Sequence, residues 1–265
     1  MKTNTCTILI SALLICNACS QQPREGVTDI DGNTYKTVTI GAQEWMAENL
    51  RTAHYRDGTE IPNIPGQERW VALDSGARVY YENDAAHPEA FGNLYNWHAV
   101  NDPRGLCPEG WSVPADDQWM ELEMYLGMPR DEAMASSRQL EKELGTWREE
   151  SGATYTQGEL GLLEIAHRGM QQNVGGKLKS EEAQPNIGAT NESGFSGLPG
   201  GMRDSDGSFD AMGMTGFWWT ATDVDAGDDW RESAWRRSLY QSLDWVMRIP
   251  NQKEYGFSVR CIRDY

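Results

Sequence analysis

Two cysteines far apart in the chain, Cys107 and Cys261, limit what this sequence can fold into more than any other feature. Of the five cysteines, the other three (Cys6, Cys16 and Cys19) fall at the amino terminus, which reads as an export leader. Lys2 gives it a positive start, and Ile8 to Ile15 a short apolar run, well below the ~20 apolar residues that span a bilayer. The two remaining cysteines are then bound for an oxidising compartment. There a bridge between them is the expected state, and two separate reduced thiols are the rival. A bridge would close a loop of more than half the chain and stabilise it by roughly 5 kcal/mol in the chain-entropy model.

The leader ends in Cys16-Asn17-Ala18-Cys19-Ser20. A cysteine directly after a small residue at the end of an apolar run resembles the lipobox of bacterial lipoproteins, which makes Cys19 the expected lipidated first residue of the mature chain. The departure is Cys16, where that pattern has Leu or a similar residue. Cleavage after Ala18 to leave a free soluble protein is the alternative. Two acyl chains suffice for stable anchoring where one is marginal. The expected organisation is a signal peptide over 1–18, a lipidated tether over 19–27 and one domain over 28–265. The expected location is the cell envelope, with the lipid in the outer membrane.

Composition narrows the partners. The formal net charge is −17, so phosphate backbones repel the chain and nucleic acid is excluded as a natural partner. Aromatic residues make up 10% of the chain, with 11 Trp, which marks a folding sequence rather than an acidic tail. Asp31-Gly32 followed by Tyr35, Thr37 and Thr39 alternating against Val38 and Ile40 predicts a hairpin. Trp45, Met46, Asn49 and Leu50 are spaced for a short helical turn. After Pro114, the positions Trp119, Leu122, Tyr125 and Leu126 predict one helix face, stopped by Gly127 and fed at its positive end by Asp116 and Asp117. A second helix is expected from Pro129 to Leu144, with Ala133 and Met134 inward. The later segments 217–220, 245–247 and 257–261 read as short strands between long loops. The expected class is α+β: a single loop-rich domain with two central helices and short antiparallel strands.

Several motifs carry a resemblance. They are Thr28-Asp29-Ile30-Asp31-Gly32-Asn33-Thr34-Tyr35, the run Ile40 to Leu50, Gly92 to Trp97, Cys107 to Pro114, Gly176 to Ser180, Thr190 to Ser196 and Gly256 to Cys261. In this order they resemble the Fibrobacter succinogenes major paralogous domain over nearly all of the expected mature chain. That family occurs on exported proteins and lipoproteins and has no assigned biochemical role. The resemblance implies a distant likeness to the C-type-lectin-like fold and to formylglycine-generating enzymes. One departure is Ala115 where the family has Ser, which weakens a capping box with Gln118.

The chemistry-bearing signals are weak. His54, His87, His98 and His167 lie in no zinc-binding spacing. Gly194-Phe195-Ser196-Gly197 lacks the last Gly of a nucleophile elbow, and Val174 to Lys177 lacks the frame of a phosphate loop. No catalytic constellation is expected. The alternate carboxylates Asp204, Asp206 and Asp210 around Gly207 resemble the start of a calcium loop, although D-x-D-G is also a common hairpin turn. Asp223, Asp225, Asp228 and Asp229 form a second acidic stretch. Trp218, Trp219, Trp230 and Trp235 flank these loops and are the candidate surface for stacking on sugar rings, with at least one of Trp218 and Trp219 expected in the core. The leading expectation is a membrane-anchored binding module for a glycan or a surface protein. A purely structural envelope component comes second, and an oxidase using Cys107 and Cys261 as redox or copper ligands comes third.

Overall fold

The computed structural model describes residues 24–135, 168–182, 188–224 and 232–265. The architecture is mostly β, with short helices. β1 (Arg24–Thr28), β2 (Thr34–Ile40) and β3 (Gln43–Met46) open a five-stranded sheet, which β12 (Ile262–Arg263) and β6 (Trp111–Ser112) complete in the order β1-β2-β3-β12-β6. A second five-stranded sheet runs β11-β10-β9-β7-β8, from β7 (Gly200–Arg203), β8 (Phe209–Met212), β9 (Thr215–Asp223), β10 (Ser233–Tyr240) and β11 (Met247–Gln252). Every pairing is antiparallel except β7 with β9. A small ladder pairs β4 (Arg78–Val79) with β5 (Leu94–Tyr95).

The helices are brief: α1 (Gln67–Val71), α2 (His87–Phe91), α3 (Trp97–Val100), α4 (Asp116–Tyr125), α5 (Arg130–Met134) and α6 (Val174–Leu178). The predicted helix after Pro114 is α4, with Trp119 and Leu122 buried as expected. Tyr125, expected on that buried face, is 60% exposed. The second predicted helix begins as α5, but Ala135 is already its cap and Met134 is exposed. Positions 136–144 lie outside the described residues. The helical turn expected at 45–50 is instead strand β3 and a bend, because Val38 pairs with Trp45 and Thr37 with Met46. The hairpin at Asp31-Gly32 forms, with Thr28 opposite Thr34. Its first strand starts at Arg24, within the stretch read as tether.

Ala115 caps α4 without a side-chain acceptor, and the Gln118 N–H that it leaves open is taken by Asp117 Oδ1 at 2.8 Å. Gln118 Oε1 accepts the Ala115 N–H at 2.8 Å, and Thr222 Oγ1 on β9 accepts the Asp116 N–H at 2.9 Å.

The closing segment Gly256 to Cys261 is the seam between the sheets. Its backbone bonds to Arg203 through Gly256, Tyr95 through Phe257, β9 through Ser258, Leu50 through Val259 and Met46 through Cys261. β9 consequently has both faces covered. Trp218 packs with Trp45, Trp119 and Phe195 on one side, and Trp219 with Phe257 on the other.

Candidate functional site

Cys107 and Cys261 are bridged across 154 residues with Cα atoms 6.0 Å apart, and both are buried. The bridge clips the segments leading into β6 and β12 where those strands pair. The pair is the bridged form that the cysteine count led us to expect, rather than two separate thiols.

The motif residues that suggested the family hold backbone together. Asn49 Oδ1 accepts from Trp218 Nε1 at 2.9 Å and from Arg260 Nη2 at 2.8 Å, while its amide donates to the Phe91 carbonyl. Arg260 also donates to the Phe195 carbonyl and lies over that ring at 4.1 Å; burial lowers its pKa to about 9. Asn96 caps α3 by accepting from Ala99 N–H and also accepts from Ala77 N–H. Asp29 gathers the backbone N–H groups of Asp31 and Asn33 and the Tyr35 hydroxyl, so the Asp29–Asn33 turn satisfies itself.

A buried ionic network joins α4 to the second sheet. Asp116 accepts from Arg237 Nη1 and Arg248 Nη2 at 2.6 Å each, and Glu123 accepts from Arg237 Nε at 2.6 Å and Arg168 Nη2 at 2.5 Å. Burial alone would raise the Asp116 pKa, but Arg237 and Arg248 override it and hold the carboxyl at about 2. Arg168 and Arg248 also donate to the carbonyls of Ala133 and Ala135, fastening the end of α5 to this centre.

Two of the four tryptophans expected to stack on a ligand lie in the core. Trp218 and Trp219 are both fully buried, with their indole N–H groups spent on Asn49 and the Tyr95 carbonyl. The expectation that they stack on a ligand is corrected: β9 is sandwiched, so alternation exposes neither. Trp235 is half-buried and faced by the Arg248 guanidinium at 3.8 Å. Trp230 lies outside the described residues, as do Asp225, Asp228, Asp229, His167 and Cys19. Of the carboxylates read as a calcium loop, Asp204 and Asp206 lie in the turn between β7 and β8 and Asp210 lies on β8 itself. Asp206 accepts the Ser208 N–H, Asp210 the Ala211 N–H, and Asp204 the Ser205 hydroxyl, with Tyr255 also beside Asp204. Among the described residues no group of three or more His, Cys, Asp or Glu side chains is placed to hold a metal ion.

A cleft of about 420 Å³ opens instead between the segment 60–62, the loop 74–76 and the residues 97–104 at the carboxyl end of α3. Glu60, Asp74 and Asp102 bring carboxylates to it, Ser75 and Asn101 neutral polar groups, and His98 an imidazole. Arg104 pairs with Asp102 through Nε and Nη2 at 2.8 and 2.7 Å and lies over the Tyr55 ring at 4.0 Å. That pairing, against the cost of burial, holds Asp102 below the usual carboxylate range. The Tyr55 hydroxyl lies behind the cleft wall: a Cβ on Gly76 would collide with it. It is fully buried beside Asp102, and burial together with that carboxylate pushes its pKa up to about 12.

Sequence reasoning missed this cleft. Its residues come from three separate stretches, and the one local signal is Asp102-Pro103-Arg104, a turn whose acid and base are spaced to pair. Among the described residues no helix is long and apolar enough to cross a membrane. The sequence model of the Fibrobacter succinogenes major domain matches residues 38–263. No curated protein and no solved structure matches the chain.

Proposed function

The chain belongs to the Fibrobacter succinogenes major domain family, and from that premise we propose that it is a carbohydrate-recognition module held at the cell envelope by a lipid on Cys19, with the cleft beside α3 as its binding site. The cleft is the observation that carries this reading. It offers carboxylate oxygens, the Asn101 amide and the Ser75 hydroxyl around a concave surface, the donor and acceptor mixture that hydrogen-bonds ring hydroxyls. The disulfide and the buried ion pairs support the same reading by fixing the scaffold that carries these groups. Kinship with the C-type-lectin-like fold belongs to this proposal, supported by a disulfide-closed, loop-rich, mostly β domain.

A glycan array probed with the full chain and with Ser75→Trp, which fills the cleft from its exposed rim, tests the proposal. The expected result is retention on a subset of glycans that Ser75→Trp abolishes without changing the thermal midpoint. No retention, or equal retention by the variant, overturns it.

A further inference from the structure

Within the cleft read above as a carbohydrate site, we infer that the preferred ligand is a sugar carrying a free ammonium group, which Glu60 and Asp74 bind. This inference rests on the carbohydrate reading and sharpens it.

The charge of the cleft is one-sided once its internal pair is set aside. Arg104, the one guanidinium lining it among the described residues, is already bound through two hydrogen bonds to Asp102. That pair is neutral as a unit, which leaves the Glu60 and Asp74 carboxylates facing the cavity. A neutral sugar satisfies acceptors with hydroxyl hydrogens alone, whereas an ammonium group gives three charge-assisted donors to the same oxygens.

The chain also displays in miniature what this corner accepts. Asp102 and the Tyr55 ring together form a cation seat, a carboxylate beside an aromatic face, and Arg104 occupies it. Behind it, the buried Tyr55 hydroxyl stands at the wall formed by Gly76, beside the Asp102 carboxylate. The carboxylates and the cation already seated at one end point to one ligand chemistry. It is an organic cation on a polar frame.

The discriminating pair of probes is the trisaccharide of glucosamine and its fully N-acetylated counterpart, which share a frame and differ in the charge of the amines. Titration calorimetry on the full chain, at low and at physiological ionic strength, is the assay. Spermidine serves as an ammonium ligand without a sugar frame. The expected result is about tenfold tighter binding of the glucosamine trisaccharide than of the acetylated one, as one charged hydrogen bond predicts. That preference should weaken with salt, disappear in Glu60→Gln/Asp74→Asn, and leave spermidine bound more weakly than the amino sugar.

Equal affinity for the two trisaccharides, or an amine preference that persists in the double variant, overturns the ammonium inference while the carbohydrate reading stands. Spermidine binding as well as the glucosamine trisaccharide overturns the role given to the sugar frame. Binding of none of the three overturns both readings. Both substituted side chains are exposed, so the thermal midpoint of the double variant should match that of the parent.

Discussion

Replacing Asp116 by Asn would remove one carboxylate from a centre where Arg237 and Arg248 both depend on it. The side chain keeps its shape, so the effect isolates charge. Two routes bracket the magnitude. The folded pKa of about 2 against the ordinary 3.8 corresponds to about 2.5 kcal/mol of stability at neutral pH. Stranding buried cations by deleting one partner costs about 3–5 kcal/mol. Urea unfolding at pH 7, followed by tryptophan fluorescence, should therefore show a loss of about 2.5–5 kcal/mol for Asp116→Asn. The pH dependence has a definite sign. A carboxyl whose folded pKa lies below its unfolded one stabilises fully above the unfolded value, and loses that contribution as pH falls through the folded value. The parent should thus lose stability between about pH 4 and pH 2, whereas Asp116→Asn should lack that part of the acid limb. A loss under about 0.5 kcal/mol, within the range of ordinary surface substitutions, or an acid limb identical in the two proteins, would refute the reasoning.

Trp218→Ala and Trp219→Ala should each cost about 3–5 kcal/mol in urea unfolding, because both rings are core, and retention of native stability in either would contradict their placement. Thr222→Val should cost about 1 kcal/mol by removing the acceptor of the Asp116 N–H, measured the same way. Cys107→Ala/Cys261→Ala should cost about 2–5 kcal/mol, and mass spectrometry of the parent should find no alkylatable thiol at either position before reduction. Calcium at millimolar concentration should leave the thermal midpoint unchanged, since the 204–210 carboxylates accept hydrogen bonds from their own neighbours.

What the sequence made legible was local or countable. The cysteine count identified the bridge, the spacing of Trp119 and Leu122 with Gly127 marked α4, and Asp31-Gly32 placed the first hairpin. What it hid depended on partners remote in the chain. Trp45 to Leu50 has helical spacing, yet β2 and the closing segment 256–261 capture it as strand and seam. Alternation along Trp218-Trp219 implies one exposed face, which holds only for a sheet covered on one side, and β9 is covered on both. The buried guanidiniums of Arg203, Arg236, Arg237 and Arg260 look like surface charge in an acidic sequence. Their burial follows from aromatic rings, amides and carboxylates assembled by the fold, such as Trp70 and Phe209 on either side of Arg203. The cleft carries no motif for a related reason: loop backbone from three stretches shapes it, and its polar residues are ordinary turn residues in sequence.

The most direct test of the account, a rigid scaffold with recognition confined to the cleft, is an amide chemical-shift titration of the isotopically labelled full chain with the glucosamine trisaccharide. Perturbations are expected to gather at Glu60, Asp74 to Gly76 and His98 to Gly105. Shifts gathered on the 204–210 hairpin or around Trp235, with the cleft amides unmoved, would contradict it.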